Sequence, residues 1–555
     1  MSFDLQLEFA DWMLIAAALI GLYSILLLPL RDSEAWKKRG VTVGGISGIP
    51  LLIFLRTTKG LKLLDQLSRP KWIWRTAVTI GIPLVILSMA TFLILVLLMT
   101  YLMILSPPEP SSYNAPRNIL LIPGLNEYIP FLWGWIALFV TMLVHEFAHG
   151  ILSRVEGVRV KSMGIVTLLV APIAAFVEPD EEDLFGTKNK PPLVNRAARI
   201  RILSAGVIAN FMVAALAMAL FFGPVLGSMS PVDRLIAVGV QEDSIAEEAG
   251  FESGMVLLQV NGENAITIEE LYSNLGSSMV EMEVLHNGQK EIFNLPGQAA
   301  RGIMVASIFP DSPADSVGLP AGSVISRIDG KEVVDVEGFR REMNLTRPGQ
   351  IITITTGSGK SYQVNLTSAA GQGEEEQKEE SDAAGTGFIG IGMSGNAIYA
   401  GGVAFQEAPA SEFLGILKTI PKRGVEGFAY MLNLPFSGIP GFTQKGFPGF
   451  SGWLTAVYEP VGWAEPLGER FFWIANLLLW IGWINLYAGL FNCLPAGPLD
   501  GGHIFRDLVQ TGFERLVPPE KAEKLTRTAV AIFTWVILTS LLISIIAPFT
   551  HSISI

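Results

Sequence analysis

The chain has 555 residues, of which 50% are hydrophobic and 16% charged, and its mean hydropathy is +0.45. This composition is too apolar for a soluble enzyme and the length exceeds one domain, so we expect an integral membrane protein with soluble insertions. The net charge of -12 comes without a basic, aromatic-laced patch, which argues against nucleic-acid binding. The single cysteine, Cys493, excludes an intrachain disulfide.

Six apolar segments are long enough to cross a bilayer as helices. They are residues 12–30, 78–105, 131–152, 202–222, 471–490 and 529–548. No basic residue precedes the first segment and no small-residue cleavage site follows it, so we predict a retained helix rather than a signal peptide. Residues 42–55 are short and broken by Gly and Pro, which predicts an interfacial or re-entrant segment and not a seventh span.

Lysine and arginine concentrate in alternate loops between these segments. Residues 31–75 contain ten, 154–201 eight and 506–527 five, whereas 1–10 contain none and 107–130 one. Basic loops favour the cytoplasmic side of a membrane. Both termini, and everything between the fourth and fifth spans, are therefore predicted to be extracytoplasmic.

The third span ends in the motif His145-Glu146-Phe147-Ala148-His149. At helical pitch His145 and His149 lie one turn apart on one face, where two imidazoles can bind one metal ion beside Glu146. Two hydrogen-bonded core histidines are the alternative, but ionisable residues within a span are costly and usually functional. The motif predicts a zinc-hydrolase site toward the cytoplasmic side.

Two apolar segments after the motif carry further signals. Residues 163–177 are β-branched and too short to span, which predicts either a re-entrant hairpin or a plain buried strand pair. In the fourth span, Gly206 and Asn210 share a helix face. Asn210 either links helices or points into the metal site, where it would bind substrate backbone or a developing oxyanion.

A polar segment, residues 492–503, follows the fifth span with the sequence NCLPAGPLDGGH. Asp500 precedes a glycine, as a turn residue would. The predicted topology also puts Asp500 in the same half of the membrane as the two histidines, where it can complete a catalytic three-ligand zinc site with an open fourth position. His503 is either a rival ligand or a cytoplasmic surface residue.

Residues 225–367 change to a soluble α/β pattern that repeats at an offset of 68 residues. Asp243-Ser244 matches Asp311-Ser312, and Asn261-Gly262 and Asp329-Gly330 predict hairpin turns at equivalent places. The pattern resembles a PDZ domain twice over. Such domains bind peptides by adding a strand to a sheet edge, or here serve as a steric filter, and both roles remain open.

The HExxH motif in a span, the GxxxN helix, the PDZ-like repeats and the Asn-x-x-Pro-x-x-Pro-Leu-Asp-Gly segment together resemble the site-2 protease family of intramembrane zinc metalloproteases. The resemblance covers residues 131–222 and 471–506 and the PDZ insertion. It implies cleavage of peptide bonds within or next to membrane-spanning helices, often of substrates already trimmed on the outer side. The residues it implies are His145, His149 and Asp500 as ligands of one zinc ion per chain, Glu146 as general acid/base, and Asn210 and Asn492 near the substrate.

The predicted fold is a polytopic α-helical membrane protein of about six transmembrane helices, with a tandem pair of α/β PDZ-like domains inserted between the fourth and fifth spans. The predicted segments are N-terminal helices with a basic cytoplasmic stretch (1–106), the first half of the protease core (131–224), PDZ-like domains (225–299 and 300–368), an acidic linker (369–386), an extracytoplasmic connector (387–470), the second half of the core (471–510) and a C-terminal helix (511–555). The expected partners are membrane-protein substrates and the lipid bilayer.

Two other functions stay open at this point. A catalytically inactive membrane scaffold could capture partner proteins with its PDZ-like domains, and a metal transporter could use the polar residues in the spans. An inactive scaffold does not explain why the HEFAH motif and the Leu-Asp-Gly motif occur in one chain. A transporter needs more spans with polar residues than the sequence has. Zinc content tests the first alternative and ion flux into proteoliposomes tests the second.

Overall fold

The computed structural model describes residues 9–46, 49–111, 114–119, 121–168, 171–187, 190–276, 278–286, 288–368, 385–436 and 446–549. The predicted acidic linker, 369–386, lies outside the described residues except at its last two positions. The chain divides into a helical unit, Met1–Phe221 with Leu477–Ile555, and a sheet unit, Phe222–Asn476.

Helices and two β-hairpins make up the chain as far as residue 225. In order they are α1 (Phe9–Asp32), α2 (Glu34–Lys38), β1 (Val41–Ile46), β2 (Ile49–Thr57), α3 (Leu61–Leu67), α4 (Lys71–Leu105), α5 (Pro116–Ile119), α6 (Phe131–Glu156), β3 (Val160–Leu168), β4 (Ala171–Pro179), α7 (Glu181–Phe185) and α8 (Arg196–Leu220), which continues as a π-helical turn, Phe221–Val225.

Short strands dominate the next part, and three helices follow it. The elements are β5 (Met229–Pro231), β6 (Leu235–Val240), α9 (Ile245–Glu248), β7 (Val256–Val260), β8 (Glu263–Asn264), α10 (Ile268–Asn274), β9 (Met279–His286), β10 (Gln289–Pro296), β11 (Ala299–Ile308), α11 (Pro313–Ser316), β12 (Val324–Ile328), β13 (Lys331–Glu332), α12 (Val336–Met343), β14 (Ile351–Thr356), β15 (Ser361–Asn365), β16 (Thr367–Ser368), β17 (Gly387–Phe388), β18 (Ile391–Ala400), β19 (Val403–Glu407), α13 (Ala410–Thr419), α14 (Gly424–Asn433), β20 (Tyr458–Pro460), α15 (Arg470–Asn492), α16 (Asp500–Phe513) and α17 (Pro519–Ile546). Short 3-10 helices lie at Ile420–Lys422, Gly452–Thr455 and Gly462–Leu467.

Five helices in the described part of the chain are long and apolar enough to cross a membrane. They are Lys71–Leu105, Phe131–Glu156, Arg196–Val225, Arg470–Asn492 and Pro519–Phe549, and they correspond to the last five predicted spans. Only 11% of the most apolar window of α4 is buried by protein, as expected for a helix that lipid surrounds. The described apolar stretch of α1, Ile20–Arg31, is shorter, so the sixth span stays a prediction.

The two hairpins of the helical unit form one antiparallel sheet in the order β1-β2-β3-β4. The predicted pairing within residues 163–177 is present, since Met163 pairs with Val177 in β3 and β4. Residues 42–55 form the other hairpin, and Ile53 of β2 pairs with Thr167 of β3. The sequence analysis treats these two segments separately. In the sheet they are neighbours, and β4 is left at the edge, packed against α6.

Two ion pairs fix α16 to α8. The Arg199 guanidinium donates to both carboxylate oxygens of Asp507, at 2.5 and 2.6 Å, and these side chains are only 11% and 7% exposed. Arg196 binds Glu514 in the same two-pronged way. Because Asp500 is the first residue of α16, these pairs also set its position relative to α8.

We predict that Asp507→Ala destabilises the protein by about 3–5 kcal/mol, because it leaves the Arg199 guanidinium buried without its counter-charge. The matched control is Glu523→Ala, which breaks the exposed pair with Arg527 on α17 and should change little. Thermal unfolding of the purified variants in detergent measures both effects. The double change Arg199→Met with Asp507→Leu should recover most of the loss, and equal losses in Asp507→Ala and Glu523→Ala would contradict the role of the buried pair.

In the sheet unit, unusual backbone conformations recur at the offset of 68 residues that the sequence shows. Among the described residues, the non-glycine residues with positive φ are Asp243 and Asp311, both at 58°, and Asn261 and Asp329, at 52° and 50°. Each pair is separated by 68 residues. Asn261 and Asp329, each followed by a glycine, form the predicted two-residue turns of the β7–β8 and β12–β13 hairpins. We call β6–β10 repeat 1 and β11–β15 repeat 2.

The two repeats share one sheet, in the order β10-β9-β7-β6-β19-β18-β11-β12-β14-β15. Its central hairpin, β18–β19, comes from a segment that the sequence analysis assigns to a connector, and here the structure differs. Ile398 and Phe405 of this hairpin are buried in the core of repeat 1, and Ile389 is buried in the core of repeat 2. The Ala408 N–H donates to the Arg234 carbonyl at 2.9 Å, so the chain enters and leaves this sheet at one point. The PDZ assignment of the repeats stays a prediction.

Candidate metal centre

The two histidines of the motif face the same side of α6. Their Nε2 atoms are 3.0 Å apart and their ring centroids 4.6 Å apart. Both side chains are 12% exposed. One helical turn therefore presents two ring nitrogens to a common point, as the spacing predicts.

Asp500 joins the histidines from a distant part of the chain. Its Oδ2 atom lies 3.1 Å from Nε2 of His145 and 3.2 Å from Nε2 of His149. Among the described residues these three side chains form the group whose donor atoms could hold a metal ion. Donors bound tetrahedrally to zinc at about 2.0–2.2 Å lie about 3.3–3.6 Å apart, so this triangle is only a few tenths of an ångström tighter than three zinc ligands would be.

A backbone carbonyl orients His149. Nδ1 of His149 lies 2.8 Å from the Ile202 carbonyl oxygen of α8. Because a carbonyl only accepts, Nδ1 carries the proton and donates it, and the lone pair of Nε2 is left for a metal. The residue type of Ile202 gives no hint of this role, so the sequence analysis missed it.

Asn210 plays the corresponding part for His145. Its Nδ2 atom is placed 3.1 Å from Nδ1 of His145, and its buried Oδ1 has no hydrogen-bond partner among the described residues. The oxygen and nitrogen of an amide are assigned from the hydrogen-bond network. A metal bound at Nε2 would require Nδ1 of His145 to carry the proton and donate it. When the Asn210 side-chain amide is turned over, its Oδ1 atom accepts this hydrogen bond from Nδ1. This arrangement supports Asn210 as the residue that orients His145.

Gly206 makes room for both rings. A Cβ atom at this position would lie 2.5 Å from Nε2 of His149 and 2.6 Å from Cε1 of His145. Gly206 lies on the same face of α8 as Asn210, as the sequence analysis predicts. Its nearest neighbours are the imidazoles of α6, so any side chain here would displace the candidate ligands.

Glu146 lies beside this group and outside it. Its Oε2 atom accepts a hydrogen bond of 3.0 Å from the Val177 N–H of β4. The carboxylate is thereby held by a strand that the sequence places 31 residues later. A backbone donor has no residue-type signature, so the sequence could predict Glu146 but not its partner.

His503 and Asn492 lie outside the group of three candidate ligands. The His503 ring packs beside Phe185, with centroids 5.3 Å apart and the ring planes tilted by 36°, and burial lowers the pKa of its imidazole below the ordinary value. His503 is not in the ligand group. Asn492 is the half-buried last residue of α15 and makes no hydrogen bond to a site residue in the described chain, so its contact with substrate remains a prediction.

A family model described as Peptidase family M50 matches residues 133–536. The chain belongs to that family. The match begins just inside α6 and ends within α17, so it includes both histidines and Asp500. M50 membership makes the chain a metalloprotease with zinc as its cofactor, in agreement with the donor set of the three side chains.

Relatives of this M50 chain differ in how much of their length they share with it. An uncharacterized protein of Methanocaldococcus jannaschii is 32% identical over 247 residues, which are 44% of this chain and 59% of that protein. A Neisseria meningitidis protein provisionally named a zinc metalloprotease is 24% identical over 422 residues, 66% of this chain and 88% of that protein. Protease RseP of Yersinia pestis is 26% identical over 277 residues, 40% of this chain and 58% of that protein.

Asp500→Ala should lower the zinc content of the purified protein sharply, because two imidazoles alone lack the charge and the third donor that zinc needs. His503→Ala should leave zinc content unchanged. Metal stoichiometry of both variants, with folding checked by thermal unfolding, measures the difference. Normal zinc in Asp500→Ala together with loss in His503→Ala would move the third ligand to His503.

Proposed function

We propose that this M50 protease is an intramembrane zinc metalloprotease that hydrolyses peptide bonds within or next to the transmembrane helices of other membrane proteins. The observation that carries the proposal is the position of the candidate metal centre. His145, Glu146 and His149 lie well inside a 26-residue helix that is apolar enough to span a bilayer. Hydrolytic groups in such a helix are suited to a substrate that lies in the membrane.

In this proposal His145, His149 and Asp500 hold the zinc ion and Glu146 moves protons. Bound zinc would lower the pKa of a coordinated water toward about 7 and polarise the scissile carbonyl. Glu146 accepts the proton of that water and returns it to the leaving amine. The hydrogen bond from Val177 to Oε2 keeps the carboxylate oriented, and Oε1, which has no hydrogen bond to a described residue, takes the proton. Asn210 and the Ile202 carbonyl keep both imidazoles in the tautomer that binds metal.

A substrate helix must unwind before its peptide bond can react, because its backbone groups are hydrogen-bonded within the helix. Backbone groups freed inside a membrane need new partners. The edge strand β4 supports a way to supply them, since it reaches Glu146 through Val177 and no other strand covers its outer edge in the described chain. A substrate strand paired with β4 would lie next to the general base.

The proposed orientation follows the distribution of Lys and Arg, with the metal centre toward the cytoplasmic side and the PDZ-like repeats outside. We propose that the repeats restrict which substrates reach the centre and perform no chemistry. The chain enters the repeats after Arg234 and leaves them before Ala408, and these two residues are hydrogen-bonded to each other. This arrangement supports the repeats as a separable module. The proposed partners are membrane-protein substrates with a transmembrane helix and the surrounding lipid.

Glu146→Gln should retain zinc and lose cleavage of a transmembrane substrate in detergent. The amide keeps the volume of the carboxylate but cannot accept the proton, and loss of a general base costs roughly 10²–10⁴ in rate. Zinc content and cleavage are measured on the same preparation, with chelator-treated native protein as the inactive reference. Cleavage at the native rate would remove Glu146 as the general base, and joint loss of zinc and activity would also count against this role of Glu146.

Excision of the repeats tests their role as a filter. Replacing residues 235–407 with a short Gly-Ser turn should preserve zinc and the kcat for a short, pre-trimmed substrate, because residues 234 and 408 are already adjacent. This excision also removes β18 and β19, which would otherwise be left with Ile398 and Phe405 exposed. The shortened protein should cleave substrates with bulky outer domains better than the intact protein does. A zinc-bound, folded product that cleaves neither substrate would show that the repeats are needed for capture.

A further inference from the structure

The helical unit carries a group of basic side chains without acidic partners near the β1–β2 hairpin. Within the described chain, six exposed cations of residues 38–71 form no ion pair, and these are Lys38, Arg39, Lys59, Lys62, Arg69 and Lys71. The described acidic side chains of this part are already paired, Glu34 with Lys37 and Asp65 with Arg154, at 3.2 Å each. The segment therefore presents positive charge that no described carboxylate neutralises.

The other long basic loop on the same predicted side of the membrane is different. Each described lysine and arginine of residues 154–201 has an acidic partner at 3.5 Å or less, and these residues are Arg154, Arg159, Lys161, Lys190, Arg196, Arg199 and Arg201. A position on this side of the membrane thus does not by itself leave cations unpaired. The unpaired cations of residues 38–71 need a partner from outside the described chain.

The backbone brings these cations to one end of the hairpin. The Gly40 carbonyl, just before β1, accepts a hydrogen bond of 2.7 Å from the Arg56 N–H near the end of β2, so α2 and the chain after β2 lie at the same end. Further along, Trp74 of α4 donates from its indole to the Leu67 carbonyl of α3 at 2.7 Å. This bond ties α3 to the start of α4. We call residues 59–72 the basic corner.

One face of α3 packs on the protein and another does not. Leu64 is fully buried, and its Cδ1 atom lies 3.1 Å from where a Cβ atom would be at Gly150 of α6. By contrast, Leu63 and Leu67 are 47% and 39% exposed, and Trp72, the second residue of α4, is 73% exposed. Residues four apart share a helix face. The basic corner therefore has an exposed apolar face beside its cations.

The basic corner lies where the membrane surface is expected. Helix α4 has 35 residues, which is about 52 Å of helix, whereas the hydrocarbon core of a bilayer is about 30 Å thick. The charged residues of α4, Lys71 and Arg75, both lie in its first two turns. This end of α4 therefore extends into the headgroup region, where Trp is enriched and where Lys and Arg side chains reach the lipid phosphates.

Exposed apolar side chains and unpaired cations together indicate the kind of partner. A soluble anion or a polar acidic protein segment would neutralise the charge but leave Leu63, Leu67 and Trp72 in water. Uncharged lipid would cover these side chains but leave the cations without counter-charge. A layer of anionic lipid does both, because apolar side chains enter the boundary with the acyl chains while Lys and Arg meet the phosphates.

We propose that Lys38, Arg39 and the basic corner form a binding surface for anionic phospholipid headgroups, with the exposed leucines and Trp72 inserted at the boundary with the acyl chains. Leu64 on the buried face of α3 packs at Gly150, which follows His149 in α6. Headgroup binding therefore also holds α3 against the helix that carries two candidate ligands. The surface acts without any substrate and does not rest on the proposed cleavage reaction.

Lipid retention tests the proposal. The full-length protein is reconstituted into nanodiscs of equimolar dioleoylphosphatidylglycerol and dioleoylphosphatidylcholine, extracted in a nonionic detergent, and its retained lipids are counted by mass spectrometry. The anionic lipid should be retained in about threefold excess or more. Raising KCl from about 0.1 to 1 M shortens the screening length from about 10 to 3 Å and should reduce this excess. Equal retention of both lipids, or an excess that salt does not reduce, would overturn the proposal.

Variants locate the binding surface. Combined Lys62→Gln, Arg69→Gln and Lys71→Gln should remove about half or more of the excess, because they remove three of the six cations. The matched control is Arg341→Gln, Arg347→Gln and Lys360→Gln, which removes three exposed cations from repeat 2 and should leave the excess unchanged. Thermal unfolding checks that both variants fold. An unchanged excess in the folded first variant, or an equal loss in the control, would overturn the assignment.

Lipid retention and cleavage are separate measurements, so the two proposals fail separately. Selective retention of the anionic lipid by a protein that never cleaves a transmembrane substrate would leave the headgroup surface intact and remove the proposed function. Cleavage by a protein that retains both lipids equally would remove only the headgroup surface.

Discussion

The structure depends on bringing three electron-rich atoms to within 3.0–3.2 Å of one another, two ring nitrogens from α6 and one carboxylate oxygen from α16. Such a group is unfavourable in a largely buried place unless a cation compensates it. The surrounding elements hold the three atoms in this arrangement, and a bound cation would offset the negative charge of Asp500. Metal binding and the packing of these helices are coupled for this reason.

Helix α8 does most of this holding. Gly206 lets it approach the imidazoles, Asn210 and the Ile202 carbonyl set their tautomers, and Arg199 fixes the helix that carries Asp500. The polar contacts of α8 thus act on every candidate ligand although none of them is a ligand itself. These contacts explain why α8 has Gly206, Asn210 and Arg199 on the sides that face other helices. Packing among apolar helices alone would require none of these three residues.

The sequence predicts those parts of the site that residue type and local spacing determine. His145, Glu146 and His149 follow from helical pitch, and the turns at Asn261 and Asp329 follow from backbone preferences of Asn-Gly and Asp-Gly. Asp500 required topology and family resemblance, because no local pattern links it to α6. The partner of Glu146 and the place of β18 and β19 could not be predicted. Backbone donors have no residue signature, and strand pairing between distant segments depends on the whole sheet.

The central hairpin β18–β19 also has a consequence for how the chain is made. Repeat 1 is synthesised from Leu235 onward, but its core lacks Ile398 and Phe405 until the ribosome has passed both repeats and the acidic segment. Until then β6 cannot pair with β19, and Val240 lacks its partner Val403. Contacts this distant in sequence form slowly and leave apolar strands exposed meanwhile. The central part of the sheet, where β6 pairs with β19, can therefore form only after both repeats have been synthesised.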